Sequence, residues 1–289
     1  MSERMYSVDG LNVHVRGDCP PGGGRVDIPP TVFLHGFTGS SKSWEPIWER
    51  LRAASLGSAF YAPDVVGHGR TDAPQSVDRY TMTAAALDLA RLLDLMAETR
   101  VDLVGYSMGG RLALHFAAAY PDRVRRLVLE GATPGIENEH EREERAMRDT
   151  ELAAWIETHG IAAFVERWEA LPLFSTQQKL PANVREAQRI ARLGNRPHGL
   201  ANSLRGMGTG AQDSLWHRLD SIKAKTLLIA GEADEKFRAI AHKMRPRLPD
   251  SRVVIAPGAG HNVHLESPDF FADVVSAFLS DETTRKAVS

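Results

Sequence analysis

The sequence predicts an α/β fold built on a mostly parallel sheet, and three observations carry that expectation. Short apolar, β-branched runs recur along the chain and end in glycine-bearing turns. Longer stretches of helical period separate them. With 289 residues, 43% of them hydrophobic and 25% charged, the chain has enough apolar sequence for a large core and is unlike a disordered polymer.

The elements follow in order. Residues 6–15 alternate polar and apolar side chains around Asp9 and Gly10, a hairpin signal that adds antiparallel strands at a sheet edge. Residues 26–28 and 31–34 flank Pro29 and Pro30, and the run Thr31, Val32, Phe33, Leu34 reads as a central strand entering a loop at His35 and Gly36. Further strand endings are expected where 59–64 lead into Gly67, 101–105 into Ser107, 126–130 into Gly131, 226–230 into Gly231, and 252–255 into Gly258. Helices are expected over 82–96, with Leu89, Leu92 and Leu93 on one face, and over 111–119.

The alternation stops after Pro134 and resumes near Lys225. The intervening sequence is helical in pattern and rich in Trp and Arg, which reads as an inserted cap. The expected division is 1–133 for the first part of an α/β core, 134–216 for a helical cap and 217–289 for the rest of the core. The charge run 137–148, which contains Arg142 and Arg145, reads by default as a solvated helix face with pairs three and four residues apart.

Composition excludes several function classes. Lys and Arg number 35 against 37 Asp and Glu, a net charge of -2, so no field gathers nucleic acid. The single cysteine, Cys19, rules out an internal disulfide and a multi-cysteine zinc site and is compatible with a reducing cytoplasm. No run reaches the roughly 18 to 20 apolar residues that span a bilayer, and the opening MSERMYSVDG has no apolar segment behind its charges, so neither a membrane span nor a targeting peptide is expected. Histidines at 35, 68, 261 and 264 lack metal-ligand spacing, and no metal or organic cofactor is expected.

The chemistry gathers at Gly105, Tyr106, Ser107, Met108 and Gly109, a G-x-S-x-G turn between an expected strand and an expected helix. Glycines at the flanking positions let the serine sit on a sharp turn with its hydroxyl above the sheet. A serine hydroxyl reacts only when a histidine takes its proton and a carboxylate fixes that histidine. Asp234 and His261 follow later strand ends in the required order, with Glu232 and His264 as their rivals. The backbone N–H groups of Phe37 and Met108 are the expected oxyanion hole.

With these residues in place, the chain resembles the α/β-hydrolase superfamily. The run from Gly105 to Arg111, the segment Glu130, Gly131, Ala132, Thr133, Pro134, Gly135, the Arg142 and Arg145 run, the stretch Asp234, Glu235, Lys236, Phe237, and the stretch around His261 together resemble one branch. That branch is the 2-succinyl-6-hydroxy-2,4-cyclohexadiene-1-carboxylate synthases of menaquinone and phylloquinone biosynthesis. The resemblance implies a lyase that eliminates pyruvate from a carboxylated small molecule by proton abstraction. It implies anion contacts at Arg111, Arg145 and Arg192, with Arg189 nearly one turn from the last, and pocket contacts at Tyr106, Trp168 and Phe174. A serine hydrolase of an ester, thioester or C–C bond in a carboxylated substrate shares the triad, and a silent binding protein of the same fold lacks any reason to keep it. Guanidiniums near the serine separate the first two, because a neutral ester gives nothing in return for desolvating them.

Overall fold

The hairpin at the sheet edge consists of β1 (Ser2–Val8) and β2 (Leu11–Asp18), antiparallel and joined through Asp9 and Gly10. The computed structural model describes residues 1–19, 28–54 and 56–280. Val26 and Asp27 of the expected first run lie outside the described residues, as does the loop from Pro20 to Gly24. β3 (Thr31–Leu34), β4 (Phe60–Pro63), β5 (Val101–Tyr106), β6 (Val124–Glu130), β7 (Lys225–Gly231) and β8 (Ser251–Ala256) complete an eight-stranded sheet in the order β1-β2-β4-β3-β5-β6-β7-β8. β2 runs antiparallel to β4, and every pairing from β4 to β8 is parallel. β3 and β5 are buried along their whole length, which explains their mostly apolar sequence; the buried Asp102 of β5 accepts from Arg125 at 2.8 Å.

Helices cover both faces. On one side α2 (Met82–Leu95) and α3 (Met108–Ala119) bury Leu89, Leu93, Leu112 and Phe116. On the other, α1 (Glu45–Ala53) and the C-terminal α9 (Pro268–Ser280) bury Trp48, Phe271 and Phe278. A fully buried ring of this kind contributes roughly 1.5–3 kcal/mol. Thr81 caps α2 by accepting from the Ala84 N–H at 3.1 Å, which fixes where that helix starts.

The helix expected from 111 begins at Met108. Gly109 and Gly110 lower helix propensity by about 1 kcal/mol each and hide that start from a pattern reading, but close approach requires them. A Cβ at Gly109 would overlap the Leu34 carbonyl, and one at Gly110 would lie 2.7 Å from the Ala132 methyl. The helix therefore abuts the sheet at its first turn.

Between β6 and β7 the chain forms α4 (Glu139–Glu169), α5 (Ala182–Leu193) and α6 (Pro197–Met207). Asn138 caps α4, its side chain accepting from the Glu141 N–H at 3.0 Å. The charge run shows the expected surface pairs, Arg142 to Glu139 at 3.7 Å and Arg148 to Glu144 at 3.5 Å. α4 is broken at Gly160 (φ 79°, ψ 176°), where nothing crowds the Cβ position and only the backbone angle calls for glycine. Ile156, Phe164, Leu200 and Leu204 form a small core of these helices.

Candidate active site

Ser107 stands where β5 turns into α3, with φ 50° and ψ -109°. Such a positive φ strains a residue with a side chain, and here it turns the serine out of the sheet in a single residue. The Ser107 N–H donates to the Glu130 carbonyl at 2.8 Å, pinning the turn to β6. His261 follows β8, and its Nε2 lies 3.1 Å from Ser107 Oγ. The His261 Nδ1–H donates to Asp234 Oδ2 at 2.7 Å, which leaves Nε2 free to accept the serine proton. Asp234 is also the N-cap of α7 (Glu235–Met244), its Oδ1 accepting from the Phe237 N–H at 3.3 Å.

Both sequence rivals are engaged elsewhere. His264 lies in a short helix, α8 (Val263–Glu266), and is buried. Its Nδ1 and N–H meet the Glu130 carboxylate at 2.7 and 3.0 Å, and its ring stacks on Trp44 with centroids 4.4 Å apart. Glu232 accepts from the Gly258 N–H at 2.8 Å and is exposed.

Ser107 and His261 open into a cavity of about 180 Å³. Phe37 and Met108 line it, and as the first residue of α3 Met108 has an N–H with no carbonyl partner inside the helix. Arg111 and Arg145 also face it. Arg111 is buried and donates through Nη1 to the Met207 carbonyl at 2.7 Å and to Gln212 Oε1 at 2.5 Å, both neutral acceptors. Burial pushes its guanidinium down to about 9, helped by the nearby Arg145 and opposed by Asp149. Arg145 donates through Nε to the buried Asp149 at 2.9 Å, so the charge run is more than a solvated face.

Trp168 and Phe174 complete an apolar wall with Phe37, with ring centroids 5.3 Å apart for Phe37 and Trp168 and 5.6 Å for Trp168 and Phe174. Tyr106 packs 5.4 Å from the His261 ring. Burial, and then the Glu130 carboxylate, raises its hydroxyl well above the ordinary tyrosine value, so it stays protonated. These four aromatic residues also line a second cavity of about 600 Å³ beneath α5.

Arg192 departs from expectation. It lines the second cavity rather than the one around Ser107, donates to Glu169 at 3.0 Å, and sits over the Phe174 ring at 5.4 Å. Arg189 meets the other oxygen of Glu169 at 2.6 Å. Both guanidiniums are thus claimed by a carboxylate at the end of α4. A third cation of the serine cavity, beside Arg111 and Arg145, is Lys236, two residues past Asp234. Among the described residues no three His, Cys, Asp or Glu side chains gather in a group suited to a metal ion, and no helix is long and apolar enough to cross a membrane.

Comparison with known proteins agrees with this fold. Residues 29–268 match the model of the alpha/beta hydrolase fold family. A Bacillus subtilis (strain 168) protein described as a putative 2-succinyl-6-hydroxy-2,4-cyclohexadiene-1-carboxylate synthase is 48% identical over 94% of this chain and 96% of its own length. The Salmonella paratyphi C protein named for the same synthase is 30% identical over 89% of this chain and 96% of its own. The structure of MenH from S. aureus superposes with a TM-score of 0.85 at 35% identity, covering 93% of this chain and 98% of that one. The chain belongs to the α/β-hydrolase fold family and, within it, to the family of 2-succinyl-6-hydroxy-2,4-cyclohexadiene-1-carboxylate synthases.

Proposed function

We propose that this chain is a pyruvate-eliminating lyase that converts 2-succinyl-5-enolpyruvyl-6-hydroxy-3-cyclohexene-1-carboxylate into 2-succinyl-6-hydroxy-2,4-cyclohexadiene-1-carboxylate. The observation that carries this reading is the joining of a serine, histidine and aspartate relay to a cavity walled by two guanidiniums, one of which has only neutral acceptors. The names of the relatives support it.

In this reading His261 Nε2 takes the Ser107 proton and the serine oxygen removes the ring proton beside the succinyl ketone. Asp234 keeps His261 in the accepting tautomer and stabilises the imidazolium. Charge develops on the ketone oxygen, opposite the N–H groups of Phe37 and Met108. The electron pair moves through the ring double bond and breaks the bond to the enolpyruvyl oxygen. That group leaves as the enolate, and the proton held on His261 returns to it as it becomes pyruvate. Arg111 and Arg145 bind carboxylates, and Tyr106, Trp168 and Phe174 pack the ring. The helices from 134 to 216 act as the cap over a core formed by 1–133 and 217–289.

The test is pyruvate release from enzymatically generated substrate, read above its spontaneous decay, for the wild type and Ser107→Ala. Rapid release that is lost in the variant is expected. A wild type that stays at background while turning over neutral esters replaces this reading with a serine hydrolase.

A further inference from the structure

Lys236 occupies an unfavourable place for a cation. It lies in the first turn of α7, where the helix dipole favours negative charge. Its Nζ is 5.6 Å from the Phe237 ring centre, and the residue lines the serine cavity. Among the described residues no carboxylate forms an ion pair with it. Surrounding protein, and then the Arg145 guanidinium, hold its ammonium below the ordinary lysine value, with Asp234 pulling the other way. Lys236 remains exposed at the cavity mouth, which screens that penalty without supplying a partner.

Arg145 disfavours the charge of both Arg111 and Lys236. Arg111 on α3, Arg145 on α4 and Lys236 on α7 line the same cavity, Arg111 buried and Lys236 exposed. Asp149 pairs with Arg145 at 2.9 Å and also favours the charge on Arg111.

We propose that Lys236 is a substrate-binding residue that sets specificity by holding a second carboxylate at the cavity mouth, while Arg111 and Arg145 hold the first from inside. The site thus selects molecules carrying at least two separated carboxylates and disfavours monoanions. The identity of the turned-over molecule rests on the lyase reading above; the charge selection does not.

The test uses the full chain and the variants Lys236→Met and Lys236→Arg. In the pyruvate-release assay Lys236→Met is expected to raise KM by roughly tenfold to a hundredfold with a smaller change in kcat, and Lys236→Arg to restore most of the loss. Calorimetric titration with tricarballylate, a tricarboxylate, and with acetate is expected to show wild-type preference for the first that falls by a similar factor in Lys236→Met. Wild-type KM in Lys236→Met, or a wild type that binds tricarballylate no better than acetate, overturns the proposal. Lys236→Gln serves as the second neutral variant if the methionine form is insoluble. Failure of the lyase reading shows separately, as absence of wild-type pyruvate release, and leaves the calorimetric comparison intact.

Discussion

Asp234 and His261 meet at 2.7 Å through one carboxylate oxygen, while the other oxygen of Asp234 caps α7. One side chain thus orients His261 and fixes the start of the helix that places Lys236. Asparagine keeps an N-cap acceptor and loses the charge. Asp234→Asn is expected to lower kcat on the order of 10²- to 10⁴-fold with little change in stability. Asp234→Ala is expected to show the same kinetic loss and a further cost of about 1 kcal/mol, read as a shift in urea midpoint. Equal stability of the two variants removes the capping role.

Arg145 has two tasks that can be separated. Arg145→Ala is expected to raise KM for the carboxylated substrate and to cost roughly 1–3 kcal/mol, because Asp149 is left buried without its guanidinium. The double variant Arg145→Ala with Asp149→Asn is expected to recover stability and not KM. Recovery of both would show that Arg145 acts only through Asp149.

Two glycines are expected to respond differently to alanine. Gly109→Ala forces a methyl into the Leu34 carbonyl and is expected to cost more than roughly 4 kcal/mol or to prevent soluble accumulation. Gly160→Ala meets no atom and carries only the backbone penalty of its positive φ and extended ψ, about 1–3 kcal/mol. Chemical denaturation of both checks the contrast, and equal losses would refute it.

Acid sensitivity has identifiable sources. Burial, and then His35, pushes His68 down to about 3, and burial, and then Arg111, pushes His115 down to about 4, against an ordinary value of 6.5. The unfolded chain binds protons that these folded imidazoles refuse. Their contribution to stability is complete above the ordinary value and is lost as pH falls toward 4 and then 3. The expected loss between pH 7 and pH 5 is roughly 2 kcal/mol for each histidine. Urea unfolding across that interval, repeated with His115→Gln, is expected to show about half the slope from this pair in the variant; an unchanged slope removes His115 from the account.

The serine turn at Ser107 was legible because it is written in adjacent residues, with glycines at 105 and 109 demanded by close packing. Asp234 and His261 were legible because parallel strands deliver their ends to one edge of the sheet. Arg192 was not, since Glu169 lies 23 residues away and nothing local announces the pair. Lys236 was visible as part of a motif, but the direction it faces depends on how α7 leaves β7, which no local pattern records. The second cavity depends on α5 standing over Lys42 and Pro46, a relation between segments more than a hundred residues apart.

The break at Gly160 makes the long inserted helix two arms with different duties. The earlier arm carries Arg145 and Asp149, and the later one carries Phe164 and Trp168. A continuous rod would transmit any change of register from one end to the other, so that altering ring recognition would disturb charge recognition as well. With the rod interrupted, the two become separable traits. Directed evolution toward a bulkier ring can work on the later arm alone, and evolution toward a different anionic pattern on the earlier one, without each round undoing the last.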